Sequence, residues 1–293
     1  MTKDSGVRTV GFIGTGVMGS SMALRILQSG YRVLVFTRTR SKASSVLQAG
    51  AEWANSISEL VIHSDVVITM VGFPKDVEEV YFGENGIFQS AKPGMYLIDM
   101  TTSSPGLADR IGRVAVELNI HALDAPVSGG DVGARDGTLS IMVGGEERAF
   151  TAMKPIFDIL GKNVVYHGPS GAGQHTKMCN QIAIASNMIG VCEAIAYAKE
   201  AGLDPDRVLQ SISSGAAGSW SLTHLAPRMI QGDMKPGFYI KHFIKDMGIA
   251  LDEAKKMHMD TPGLEMALNL YKHLSDLGYG ELGTQALYNM YSK

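Results

Sequence analysis

"TVGFIGTGVMGSSMALRILQSGYRVLVFTR", residues 9–38, decides the fold. Its two ends are apolar, β-branched runs of strand length, and apolar residues recur at helical spacing between them. The first run passes into the helix through Gly14-x-Gly16-x-x-Gly19. A glycine triplet alone is common. Here it follows a strand, opens a helix and closes a unit of ~30 residues, the context that gives it meaning. Gly14 permits a tight turn, Gly16 lets the backbone approach a pyrophosphate, and Gly19 lets helix and strand pack closely. The helix N-terminus adds partial positive charge. Thr15, Val17 and Met18 fill the rest of the turn, so residues 14–19 are the expected dinucleotide contact.

The end of the second strand narrows the expectation. An Asp or Glu there would bond a ribose 2′-hydroxyl. This chain has "FTRTRSK" (36–42), with no acid. Arg38 and Arg40 offer guanidinium groups suited to a 2′-phosphate, and Thr37 and Thr39 stand beside them at the expected cofactor contact. NADP is therefore expected, with NAD as the alternative. Two further loops, "MVGFP" (70–74) and "DMTTSSP" (99–105), end apolar strands and should face the same crevice. Val71, Gly72 and Thr102 are expected against the nicotinamide ribose. Thr102 has a second reading as a helix N-cap ahead of Pro105.

Outward from this unit, residues up to ~165 alternate strand and helix patterns. Strands are predicted at Thr9–Ile13, Tyr31–Phe36, Val66–Met70, Tyr96–Asp99, Ala122–Ala125, Ser140–Val143 and Val164–Tyr166. Helices are predicted at Met18–Gln28, Pro105–Leu118 and Glu146–Ile159. Crossovers of that length demand a mainly parallel sheet. From Ser170 no convincing strand remains, and the 3.6-residue period takes over. The spacing predicts an α/β protein: a Rossmann-type doubly wound domain at 1–169 and an all-α domain at 170–293. A long helix from about Gln174 to Ala201 joins them, ended by Gly202.

Composition sets limits. With 293 residues, 45% hydrophobic and 19% charged, the chain suits a globular protein of about two domains. A net charge of −3 without a basic stripe argues against nucleic acid. "MTKDSGVRT" (1–9) has no apolar core, so no signal peptide is expected. The apolar run 182–198 carries Asn187 and Glu193, which fits a buried helix better than a membrane span. Cys179 and Cys192, the only cysteines, fall on different faces of one helix. They cannot staple the fold, and a cytoplasmic setting follows. The eight histidines show no metal spacing, so no metal is expected.

Two segments carry the chemistry. "DAPVSGGDVGARDGTLSIMVGG" (124–145) offers the Ser128 hydroxyl and the open backbone of Gly129 and Gly130, an anion nest for a small carboxylate substrate. "GAGQHTKMCNQ" (171–181) sets Lys177 on a helix face with Gly173, Gln174, Asn180 and Gln181, all small or polar. An amine so placed, partly desolvated beside a positive nest, favours the neutral form that a general base needs.

These motifs, with "GFIGTGVMG" (11–19) and "KPGFYIKHFIKDMGIALDEA" (235–254), resemble the β-hydroxyacid dehydrogenases, the family of 3-hydroxyisobutyrate dehydrogenase and tartronate semialdehyde reductase. The resemblance covers essentially the whole chain. It implies a C-terminal domain like that of 6-phosphogluconate dehydrogenase and Lys177 as the catalytic lysine. It also implies that Ser128, Gly129 and Gly130 hold the substrate carboxylate. Asn180 and Gln181 are implied to orient substrate oxygens, although many relatives have a second Asn where Gln181 stands. Lys245, with Asp246 beside it, matches the position that closes over cofactor and substrate. The expected reaction is hydride transfer between NADP(H) and a small β-hydroxy acid or its semialdehyde. Glyoxylate, succinic semialdehyde and tartronate semialdehyde reduction are the alternatives. A non-catalytic NADP-binding scaffold is the reading from another class, disfavoured because the lysine is kept. The long apolar helix and the aromatic C-terminal "LGYGELGTQALYNMY" (277–291) predict a homodimer or homotetramer.

Overall fold

The computed structural model describes residues 7–291, so residues 1–6 of the polar N-terminal stretch lie outside the described part. The chain forms two compact units, Met1–Lys177 and Met178–Lys293.

In the first unit the strands are β1 (Thr9–Ile13), β2 (Arg32–Phe36), β3 (Glu52–Trp53), β4 (Val66–Thr69), β5 (Tyr96–Asp99), β6 (His121–Asp124), β7 (Val127–Ser128), β8 (Leu139–Gly145) and β9 (Gly161–Gly168). Its helices are α1 (Val17–Gln28), α2 (Ser44–Gln48), α3 (Ile57–Ile62), α4 (Pro74–Phe82), α5 (Pro105–Glu117), α6 (Gly130–Asp136) and α7 (Glu147–Leu160). The sheet order is β3-β2-β1-β4-β5-β6-β8-β7, with β9 on β8. From β3 to β6 all pairs are parallel; β8 runs antiparallel to β6 and to β7. The parallel part has the doubly wound 3-2-1-4-5-6 order, which reverses between β1 and β4 and opens a crevice at their carboxyl ends.

Both faces of the sheet are covered, which explains strands that read as continuous apolar runs rather than alternating ones. Val10, Phe12, Val66, Ile68 and Ile98 join Met22 and Ile26 of α1 and Met153 and Phe157 of α7 in one core. Ile13, Val67 and Leu97 join Leu60 of α3, Tyr81 of α4 and Ile111 of α5 in the other. All seven predicted strands form. The sequence reading missed β3 and β7, each only two residues long.

Helix α8 (Ala172–Glu200) begins in the first unit and runs on through the second, where α9 (Pro205–Ile212), α10 (Trp220–His224), α11 (Ala226–Ile230), α12 (Ile240–Lys256) and α13 (Pro262–Leu274) follow. Its 29 residues contain an 18-residue stretch of mean hydropathy 1.3, enough on paper to cross a membrane. Yet Met178, Ala185, Met188, Cys192 and Ile195 pack into the helical core with Phe243 and Met247 of α12 and Leu264 and Tyr271 of α13. The aromatic C-terminus closes on this same core: Ala286, Leu287 and Tyr288 are buried, and the Tyr271 hydroxyl donates to the Thr284 carbonyl at 2.8 Å. Of the three tyrosines in that tail, Tyr288 packs into this core, Tyr291 is half-buried and Tyr279 is exposed.

Candidate active site

The turn between β1 and α1 forms an open cradle. Gly14 has φ +98°, and a Cβ there would collide with the Met70 carbonyl. Gly16 is the N-cap of α1, with no side-chain hydrogen bond capping the helix and no acid in its first turn. A Cβ on Gly16 would meet nothing within 4 Å. The first N–H groups of α1 therefore have no side-chain cap, and no first-turn acid cancels their partial charge. Thr15 is buried, and its Oγ1 has no hydrogen-bond partner among the described residues. Buried hydroxyls are nearly always bonded, so this orphan, like Ser103 Oγ, marks a place where a polar ligand fits. Val17 is exposed and Met18 half-buried.

At the end of β2, Arg38 is exposed and ion-paired with Asp76 at 3.1 Å, while the Arg40 guanidinium lies 5.1 Å from the Trp53 ring centroid. At the ends of β4 and β5, the Val71 N–H donates to Thr101 Oγ1 at 3.0 Å, and Gly72 and Thr102 are half-buried. The N-cap of α5 is Ser104, which accepts from the Leu107 N–H at 3.3 Å. The capping alternative for Thr102 is thereby excluded: Pro105 holds the first helical position, so the cap is the residue directly before it.

A second helix start is filled by the protein itself. Asp124 ends β6 and accepts the Gly171 and Gln174 N–H groups, each at 2.8 Å. Gly173 fits there because it lacks a Cβ, which would collide with the Met142 carbonyl. Gln174 is fully buried; it accepts from the Ser103 N–H at 3.0 Å and donates Nε2 to the Thr101 carbonyl at 2.7 Å. Asp99, the register partner of Asp124 on β5, accepts from Thr69 Oγ1 at 2.7 Å and the Thr101 N–H at 3.1 Å. Burial pushes the Asp99 carboxyl up to about 6, against these hydrogen bonds. Asp124 is raised too, chiefly by burial, with the helix N–H groups pulling the other way. The strand ends thus grip the first turn of α8. One turn on stands Lys177, only 6% exposed. A buried ammonium is costly unless paired or used.

Ser128, Gly129 and Gly130 form a turn with φ of +128° and +64° at the two glycines, leading into α6. All three are half-buried.

In the helical unit, Asn180 donates Nδ2 to Gln181 Oε1 at 2.7 Å, and Gln181 donates Nε2 to Asp246 Oδ2 at 2.6 Å. Lys245 Nζ lies 2.8 Å from Asp246 Oδ1. Gln181 and Asp246 are 0% and 1% exposed, with their polar atoms used inside the unit. Direct ligand contact, expected of all four, suits Asn180 and Lys245 better than this buried pair. Among the described residues no group of His, Cys, Asp and Glu could hold a metal ion.

A doubly wound sheet with an open glycine turn, followed by an all-helical unit, is the architecture of a dinucleotide-binding protein. A family profile described as the NAD binding domain of 6-phosphogluconate dehydrogenase matches residues 9–168. Another, the NAD-binding domain of NADP-dependent 3-hydroxyisobutyrate dehydrogenase, matches residues 171–291. The chain is 61% identical to an uncharacterized oxidoreductase of Bacillus subtilis (strain 168), over 98% of this chain and 99% of that one. It is 40% identical to 2-hydroxy-3-oxopropionate reductase of Escherichia coli (strain K12), over 95% of each. The crystal structure of 3-hydroxyisobutyrate dehydrogenase from Salmonella typhimurium superposes with a TM-score of 0.87 at 30% identity, covering 97% of this chain and 99% of that one. The chain belongs to the β-hydroxyacid dehydrogenase family, dehydrogenases that act on a hydroxyl group with a nicotinamide cofactor.

Proposed function

We propose that this chain is an NADP-preferring reductase of small semialdehyde or keto acids, running reversibly as a β-hydroxyacid dehydrogenase of the 3-hydroxyisobutyrate and tartronate semialdehyde type. The observation that carries the reading is Lys177: buried, on a helix whose first turn is gripped by Asp124 and Gln174. Residues 14–19 would hold the cofactor pyrophosphate, and Arg38 and Arg40 its 2′-phosphate. The bound cofactor supplies the hydride at the nicotinamide ring.

Lys177 supplies the proton. As an ammonium it donates to the aldehyde oxygen as that carbon gains the hydride; in oxidation the neutral amine takes the hydroxyl proton. General acid–base help of this kind contributes ~10²–10⁴-fold. Ser128, Gly129 and Gly130 hold the substrate carboxylate through backbone N–H groups, and Asn180 and Lys245 orient the substrate from the helical unit. We carry a cytoplasmic homo-oligomer as part of this proposal; the two free cysteines suit a reducing setting.

The test is NADPH and NADH oxidation with a panel of C2 to C4 semialdehyde and keto acids. Turnover of at least one, with a lower KM for NADPH than for NADH, is expected. NADPH binding without turnover of any would favour a non-catalytic module instead.

A further inference from the structure

We propose that Gln181 and Asp246 form a positioning relay, in which one buried amide–carboxylate bond orients the Asn180 amide at one end and the Lys245 ammonium at the other. The inference rests on the proposed reading of Asn180 and Lys245 as substrate and cofactor contacts, and it assigns Gln181 a role other than ligand contact.

The chemistry fixes the direction of every group. Asp246 can only accept, so Gln181 must turn Nε2 towards it. Its Oε1 then points back to Asn180 and can only receive Nδ2. Turning Gln181 over would set carbonyl against carboxylate and amine against amine at a side chain that is 0% exposed. Donating Nδ2 to Gln181 leaves the Asn180 carbonyl oxygen as the outer end of the chain, an acceptor for a substrate hydroxyl or a protonated amine. At the far end Asp246 is held by Gln181, and its Oδ1 sits 2.8 Å from Lys245 Nζ without a well-directed N–H from it. That pairing is therefore mainly Coulombic, and it depends on where Gln181 keeps the carboxylate.

The bond joins α8 to α12 across 65 residues of chain, and a side chain one methylene longer than Asn can span it. His242, one turn before Asp246, completes the charged surroundings. Burial first, then the nearby Lys245 charge, holds its imidazole below the usual range. The Asp246 charge opposes this, and Lys241 and Glu281 act more weakly still.

The test compares Gln181→Leu, Gln181→Glu, Asp246→Asn and the Gln181→Leu/Asp246→Asn double variant with the wild type. Each is read by the KM and kcat of the best semialdehyde and by NADPH Kd from fluorescence titration. Melting curves exclude any variant that is not folded at the assay temperature. Gln181→Leu is expected to raise the aldehyde KM about 10-fold and NADPH Kd about 3-fold, with kcat changed less than either, because a positioning bond contributes mostly to binding. The double variant should be no worse than Asp246→Asn alone.

Gln181→Glu supplies a readout that simple destabilisation would not give. A protonated Glu can replace the amide, accepting from Asn180 and donating to Asp246, whereas an ionised one repels Asp246. Its KM and NADPH Kd should approach wild type near pH 6 and worsen at least 5-fold by pH 8, with no such trend in the wild type or in Gln181→Leu. Effects that simply multiply in the double variant, or a Gln181→Glu profile parallel to wild type, would overturn the relay. Should the wild type turn over no aldehyde, the reductase reading fails and NADPH Kd alone decides. Raised Kd in Asp246→Asn and pH-dependent Kd in Gln181→Glu support the relay, and unchanged Kd in both overturns it.

Discussion

Two helix starts in the first unit bring backbone N–H groups together, and they are finished in opposite ways. At α1, Gly16 leaves the terminus bare, no acid stands in the first turn, and Thr15 Oγ1 is an orphan. At α8, Asp124 takes the Gly171 and Gln174 N–H groups, and Gln174 locks the turn to the loop after β5. A helix dipole satisfied by the protein's own carboxylate is an anchor; one left unsatisfied invites an anionic ligand. On the proposed reading, the first terminus binds the cofactor and the second places Lys177.

The sharpest way to break the comparison is to make the termini alike. Gly16 has extended backbone and open space around it, so Gly16→Asp fits without strain and would cap α1. It should weaken NADPH binding on the order of 100-fold, since charge-assisted hydrogen bonds worth about 1.5–3 kcal/mol each give way to repulsion. The same variant should melt no lower than wild type, because an Asp N-cap contributes about 1 kcal/mol. Isothermal titration and a melting curve check both.

The reverse change empties the filled terminus. Asp124→Asn cannot accept at both oxygens, so one buried N–H loses its partner. Unfolding free energy in urea should fall by about 2–3 kcal/mol. Equal stability would mean that the grip on α8 is not what holds it.

Asp99 sharpens the same region through pH. Its folded carboxyl titrates near about 6, pushed up by burial, against about 3.9 in an unfolded chain. The sign follows: stability from this group is complete below pH ~4 and is lost as pH rises through 6. Asp99→Asn removes that loss. Relative to wild type it should gain up to about 3 kcal/mol between pH 4 and pH 7, read from denaturant midpoints at both ends. A constant difference would contradict the raised carboxyl.

The smallest effect concerns the rim of the cradle. Arg38 is mostly exposed and already pairs with Asp76, so a 2′-phosphate gains only part of its charge. Arg38→Ala should raise KM for NADPH about 10-fold and leave NADH within about twofold. Equal changes for both cofactors would remove the 2′-phosphate assignment.

Much of this was legible in the sequence, for physical reasons. The parallel strands announce themselves because both of their faces are buried, and the glycine turn because its context is local. Lys177 stood out as a charge at the mouth of an apolar helix. The strands Glu52–Trp53 and Val127–Ser128 were not legible, since two residues carry no period. Nor were Asp99 and Asp124: an acid ending "YLID" or "HALD" reads like a turn residue, and the partners of Asp124 lie 47 and 50 positions away. Gln181 looked like a variant of a ligand because its bond to Asp246 is invisible without the packing of α8 on α12. The Pro105 signal identified the start of α5 correctly, but the cap is Ser104 rather than Thr102.

The most direct test is a single-turnover experiment with NADPH already bound, comparing wild type with Lys177→Ala on the best semialdehyde. The account predicts NADPH Kd within about twofold of wild type and reduction at least ~10²-fold slower. Wild-type single-turnover rates in Lys177→Ala would contradict it.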